Sequence, residues 1–228
     1  MIKTFLILLI LQNLLFAQQI ILVVAKDFQT PKAKLTCYEN GKKIFDTIEV
    51  NIGKNGLGWG LGEVTLTQKK NEPHKKEGDK KAPAGIFKLT TIFGYEKEQN
   101  FKMPYLYADK NLICVDDSDS KLYNQITKMP KIAPKSYENM RRDDKQYKLG
   151  VYVGHNKRQI KNRGSCIFLH VQKSKNHPTA GCTSMGIEDI KKITSWLDKS
   201  KNPILIQIPQ SSLKEVMNLY PKIFLSLL

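Results

Sequence analysis

The chain has 228 residues, 41% of them hydrophobic, and a formal net charge of +16. That length suits one domain with a substantial core, or one plus a small appendage, and rules out a miniature disulfide scaffold. The charge comes mostly from Lys, with Arg only at Arg141, Arg142, Arg158 and Arg163; nucleic-acid readers lean on Arg for bidentate contacts, and no RNA- or DNA-binding motif is present, so no nucleic-acid partner is expected. A Lys-, Ile- and Asn-rich composition accounts for the charge, as does attraction to an anionic envelope or wall.

The N-terminus reads as a signal peptide over residues 1–17. Lys3 is followed by an apolar run from Phe5 to Ile10 and on through Leu14-Leu15-Phe16, and Ala17 supplies the small residue before Gln18-Gln19. An uncleaved anchor is the alternative, but Gln12-Asn13 interrupts the run, which is short for a membrane span. The expected address is the periplasm or cell envelope.

Ile20 to Ala25 is the first strand. Residues 34–38 and 43–50 form two more around Asn40-Gly41, a hairpin-turn signal. Five glycines fall between Gly53 and Gly62, which predicts a loop or bulged strand; no Gly-Lys-Ser/Thr follows, so it is not a phosphate cradle. Lys69 to Lys81 is polar and reads as a solvated loop that includes His74. Pro83 and Gly85 suit a chain that turns and continues as an edge strand, and Ile86-Phe87-Lys88-Leu89 and Leu112-Ile113-Cys114-Val115 are further strands. Asp116-Asp117-Ser118-Asp119 lacks the EF-hand order of ligands and reads as a surface turn. Residues 118–147 are polar, with Pro130 and Pro134, and read as an inserted loop with a short helix near Tyr137 to Arg142; such insertions often border a site.

Leu149 to Val153 and Ile167 to His170 are expected to pair as core strands. Ile190, Ile193 and Leu197 share one face of a helix over 188–199. Ile204 to Ile208 is a last strand, and Ser212-Leu213-Lys214-Glu215 is a capping-box signal for a C-terminal helix. The fold class expected is mainly β: a β-sandwich of mixed sheets with a few peripheral helices. The domain reading is 1–17 signal peptide, 18–209 main domain and 210–228 helical extension.

Cys182 is the candidate nucleophile. It sits in Thr179-Ala180-Gly181-Cys182-Thr183, between the apolar strand that ends in His170 and the helical pattern opening at Gly186. Small residues let a carbonyl approach, while a tight turn or helix N-terminus lowers a thiol pKa and offers N–H groups to an oxyanion. A buried structural Cys and a satisfied core His are the alternatives. The oxyanion donors would be the N–H groups of Gly181, Cys182 and Thr183. His155, after Gly154 at the end of a β-rich run, and His177, beside Pro178 at a loop rim, are candidates for substrate contact. A metal site of His170, His177 and Cys182 is the rival, but no His-Glu-x-x-His or Cys-x-x-Cys is present, and no metal or cofactor is expected. A phosphatase-type cysteine loop needs an Arg about five residues after the Cys, where Glu188 lies instead. If Cys182 stays a thiol, at most one disulfide forms among Cys37, Cys114 and Cys166.

His170, a short loop and Thr179-Ala180-Gly181-Cys182 resemble the signature of the L,D-transpeptidase catalytic domain, or YkuD domain. Glu77-Gly78-Asp79 through Pro83-Ala84-Gly85-Ile86-Phe87 and Gly164-Ser165-Cys166-Ile167-Phe168-Leu169-His170 resemble two further segments of that family, in the same order, and the likeness spans roughly residues 40–209. Many members carry Arg where Ser184 stands, and many have a longer loop between the His and the Cys. The resemblance implies an exported cysteine acyltransferase acting on peptidoglycan stem peptides, with Cys182 as nucleophile and His170 as general base, a backbone carbonyl fixing the imidazole tautomer, and Thr179 and Ser184 on the substrate side. It places Gly78 to Phe87 beside the cleft. An L,D-carboxypeptidase using water as acceptor, and a wall-binding or scaffolding protein without turnover, are the alternatives. Oligomeric state is not encoded.

Overall fold

The computed structural model describes residues 18–221; the signal-peptide reading of residues 1–17 lies outside them, as does the end of the C-terminal extension. In chain order the strands are β1 (Gln19–Ala25), β2 (Lys32–Glu39), β3 (Lys42–Lys43), β4 (Ile48–Asn51), β5 (Leu57–Trp59), β6 (Ala82–Gly94), β7 (Tyr105–Tyr107), β8 (Leu112–Val115), β9 (Ile126–Lys128), β10 (Tyr137–Asn139), β11 (Leu149–Val153), β12 (Phe168–Val171), β13 (Thr183–Met185) and β14 (Ile204–Pro209). Two helices follow β13 and β14: α1 (Ile187–Trp196) and α2 (Leu213–Leu219). Among the described residues no helix is long and apolar enough to cross a membrane.

The chain is mainly β, as expected, but the sandwich is replaced by a barrel. The strand order β1-β14-β6-β11-β12-β13-β4-β2 closes because β2 also pairs antiparallel with β1, Ile21 facing Cys37 and Val23 facing Leu35. Closure leaves the ring without edges, which a two-sheet sandwich cannot do. The pairing is mixed: β1–β14 and β12–β13 are parallel, the other ring pairs antiparallel. Near-continuous apolar strands such as Gln19–Ala25 fit burial on both faces. The main core holds Ile21, Leu35, Ile52, Phe87, Val151 and Leu205, and α1 lays buried Ile190 and Ile193 against the barrel wall while Lys191 and Lys192 face solvent.

A separate antiparallel sheet, β10-β8-β9, packs on the outside of the ring. Beneath it lies a second cluster in which Leu112, Cys114 and Met140 meet Phe93 of β6, Phe168 of β12, Tyr147, Cys166 and Cys182. A Cys114–Cys166 disulfide, closing a separation of 52 residues, joins this cap sheet to the barrel; Cys37 and Cys182 are free thiols.

Several local expectations are corrected. The stretch near Tyr137 is strand β10, not a helix, because it finds a partner in β8. β6 is not an edge strand; it pairs with β5, β7, β11 and β14 along its length. The Lys-rich loop is not wholly solvated, since Lys75 is buried and ion-paired with Asp79. The capping box does not form: Ser212 makes no side-chain cap bond, and Glu215 instead accepts from the N–H and hydroxyl of Thr67, tying α2 to the domain body.

Candidate active site

Cys182 immediately precedes β13, so the turn leads into a short strand and α1 begins five positions later, at Ile187. No helix N-terminus therefore serves the thiol. The loop is held by Thr179, whose hydroxyl accepts from the Gly181 N–H at 3.1 Å and donates to the Cys182 carbonyl at 2.6 Å. Gly181 has φ +152°, and a Cβ there would come within 3.1 Å of the Lys81 carbonyl, so the position requires glycine. The Gly181 N–H is thus engaged and Thr183 lies in the β12–β13 ladder opposite Leu169; of the three expected oxyanion donors, the Cys182 N–H is the one with no hydrogen-bond partner among the described residues.

The sulfur accepts from the Phe168 N–H at 3.3 Å and its S–H donates to the Cys166 carbonyl at 3.5 Å. Cys166 is itself fixed: it has φ +53°, its N–H donates to Asn124 Oδ1 at 2.9 Å, and its sulfur is in the disulfide. Burial pushes the Cys182 thiol up to about 12; the nearby Glu138 carboxylate adds to this, while the Phe168 N–H, the Lys75 ammonium and the Tyr147 hydroxyl oppose it.

His170 ends the apolar run of β12. Its Nδ1–H donates to the Val171 carbonyl at 2.8 Å, so Nε2 carries the lone pair and is the ring's free acceptor. Burial holds the imidazole down to about 4, keeping it neutral. Its ring meets Tyr147 edge-on, centroids 5.2 Å apart.

Cys182 and His170 open onto one cavity of about 390 Å³, which Thr179, Gly181 and His177 also line. Gly78 and Lys80 border it too, whereas the chain from Ala82 onward enters the barrel. A larger groove of about 510 Å³ between the β2–β4 flap and α1 has no His; its one thiol, Cys37, is raised to about 12 by burial alone. Cys182 and His170 share the smaller cavity, and that is the candidate site.

Two expected substrate contacts stand apart from it. His155 is buried, with Nδ1 accepting from the Leu61 N–H at 3.2 Å and Nε2–H donating to the Arg163 carbonyl at 2.9 Å; both ring nitrogens are used to bind two loops together. Ser184 is buried in β13 opposite His170 and Asn51, and its hydroxyl has no partner among the described residues. Among those residues no cluster of His, Cys, Asp and Glu is arranged to hold a metal.

Sequence reasoning missed the rest of the cavity lining. Tyr147 and Glu138 line the same cavity as Cys182, and the Tyr147 hydroxyl donates to Glu138 Oε2. Asp116 and Glu77 line it too, with Glu77 held by the hydroxyls of Tyr123 and Ser165. Lys75 and Arg142 bring positive charge; Lys75 is bound to Asp79 at 2.5 Å, and Arg142 lies over the Tyr147 ring at 5.0 Å while pairing with Asp144. The available signal was the polar insertion itself, whose length suggested a border to a site.

A family model for the L,D-transpeptidase catalytic domain, YkuD, matches residues 19–206. No curated protein and no solved structure matches significantly. The chain belongs to the L,D-transpeptidase catalytic domain family.

Proposed function

We propose, from the premise that this is an L,D-transpeptidase-family chain, that it is an exported cysteine acyltransferase acting on peptidoglycan stem peptides. Cys182 attacks a stem-peptide carbonyl next to a D-residue, the amine leaves, and an amine acceptor resolves the thioester. His170 is the acid–base partner, poised by the Nδ1–H bond to Val171 that leaves Nε2 open. The Cys182 N–H is the backbone donor for the oxyanion. The observation that carries this reading is the opening of a free thiol and an unprotonated imidazole nitrogen onto one cavity, which gives a wall-binding scaffold no explanation.

Export is supported by the Lys3-to-Ala17 pattern and by the Cys114–Cys166 disulfide, which suits an oxidising compartment. The test is incubation of residues 18–228 with purified muropeptides, reading products by mass. Cross-linked dimers are expected; shortened stems would assign water as the acceptor and make the protein an L,D-carboxypeptidase. Unchanged muropeptides would refute the enzymatic reading.

A further inference from the structure

We propose that the buried Lys75 ammonium is the second oxyanion donor of the site, giving a hydrogen bond to the carbonyl oxygen of the bond that Cys182 attacks. The proposal rests on Cys182 being the nucleophile and keeps His170 as the base that takes the thiol proton. It makes Lys75 a catalytic residue and Asp79 the positioning residue that holds it.

An oxyanion hole needs donors fixed before the charge develops, and the nucleophile loop offers only the Cys182 N–H. Lys75 lies where a further donor is missing. It lines the cavity that holds Cys182 and His170, and a Cβ added at Gly181 would lie 3.8 Å from its Nζ and 3.1 Å from the Lys81 carbonyl. The nucleophile loop therefore packs on the turn from Lys75 to Lys81, and glycine at 181 lets the ammonium approach the loop backbone. The stem of Lys75 reaches this place through another close approach. Gly164 has φ +89°, and a Cβ there would come within 3.0 Å of Lys75 Cγ and Cε.

The side chain is 4% exposed, and an ammonium buried that far must be paired. Its Nζ donates to Asp79 Oδ1 at 2.5 Å and to the Lys76 carbonyl at 2.7 Å. Asp79 is fixed in turn, accepting from the Lys81 N–H at Oδ1 and from the Lys76 N–H at Oδ2. An ammonium has three N–H donors, and no described residue takes the third. The other cations of the lining are placed differently: Lys80 is exposed, and Arg142 is bound to Asp144. Glu77, Asp116 and Glu138 line the cavity too, so an anion forming on the substrate needs a counter-charge beside the loop.

The step balances. The thiol proton passes to His170 Nε2, and the sulfur forms a bond to the carbonyl carbon. The C=O π pair moves onto oxygen, which accepts from the Cys182 N–H and from Lys75. When that pair returns, the C–N bond breaks and the leaving amine takes the proton from His170. No proton leaves Lys75. The same ammonium also pulls the Cys182 thiol down against the burial that raises it, so its loss slows thiolate formation as well as attack on a carbonyl.

Two reagents separate these effects, and neither is a peptidoglycan. Iodoacetamide alkylates the thiolate at a saturated carbon and forms no oxyanion; p-nitrophenyl acetate acylates it through one. Both adducts are followed by intact mass and mapped to the peptide containing Cys182, with Cys182→Ala as the background. Lys75→Met should slow acylation about a hundredfold more than it slows alkylation. His170→Asn should slow both reactions in the same proportion, the pattern of a residue that acts on the thiol alone. If Lys75→Met, which leaves the Asp79 carboxylate without its cation, does not melt cooperatively, Lys75→Met/Asp79→Asn decides, with the same ratio expected. Equal slowing of the two reactions, or wild-type rates in both, would overturn the proposal, as would a wild-type Cys182 that is alkylated but never acylated. A Cys182 inert to both reagents would instead overturn the reading of it as nucleophile.

Discussion

Removing the Cys114–Cys166 disulfide by the double substitution Cys114→Ala/Cys166→Ala should both destabilise the protein and impair catalysis. The bond closes a sequence separation of 52 residues, and the chain-entropy relation gives roughly 4 kcal/mol for a loop of that length. For a domain of this size 1 kcal/mol moves Tm by about 2–4 °C, so a fall of roughly 10 °C is expected. Both cysteines are buried, at 0% and 1% exposure, so dithiothreitol should leave the native protein oxidised and act only once it opens. Activity should fall more than stability alone explains when assayed well below the new Tm, because the cap sheet that lines the cavity beside Cys182 is then held by packing only. Calorimetry and muropeptide turnover on the same preparations supply both readings. A variant melting within about 2 °C of wild type with full turnover would refute the reasoning that the bond positions the cap.

Two further predictions concern the histidines and the nucleophile loop. His155 and His170 are held at about 4 in the folded protein by burial, against 6.5 for an unperturbed imidazole; the unfolded chain therefore binds more protons between those values, so stability should be constant above about pH 6.5 and decline as pH falls toward 4. The limit is about 3 kcal/mol per histidine, and urea unfolding of wild type and His155→Gln at several pH values measures it; a flat profile would contradict the assignment. Gly181→Ala should destabilise by about 1–3 kcal/mol through its left-handed backbone and the Lys81 contact, and should lower turnover at least tenfold by displacing Cys182; thermal melts and muropeptide kinetics check both, and wild-type values would count against the loop geometry.

Most strand positions were legible because hydrophobic runs and turn residues are local signals. Asn40 and Gly41 both adopt positive φ, as their turn signal implies, and Leu149 to Val153 pairs with the strand ending in His170. Barrel closure was not legible: alternation marks which residues point inward, and a sandwich and a barrel share it. The deciding contact is the β1–β2 pairing that completes the ring. Cys182 was a candidate because it is a thiol among small residues, whereas His170 was singled out by the resemblance of its segment to the L,D-transpeptidase family, since a strand-ending imidazole alone reads equally as a core histidine. Tyr147 and Glu138 did not, since β10 is three residues long and stable only through β8 and the disulfide. Lys75 was hidden in a run of lysines, and only its bond to Asp79 marks it as interior. His155 looks like a site residue in sequence but is consumed by two backbone bonds.

The most direct measurement of the central claim is the intact mass of the protein during turnover of a stem-peptide substrate. An acyl-enzyme is predicted: a mass gain equal to the substrate minus its leaving amine, mapped to the peptide containing Cys182 and absent from Cys182→Ala. Turnover by Cys182→Ala, or an adduct mapped to any other residue, would contradict the account.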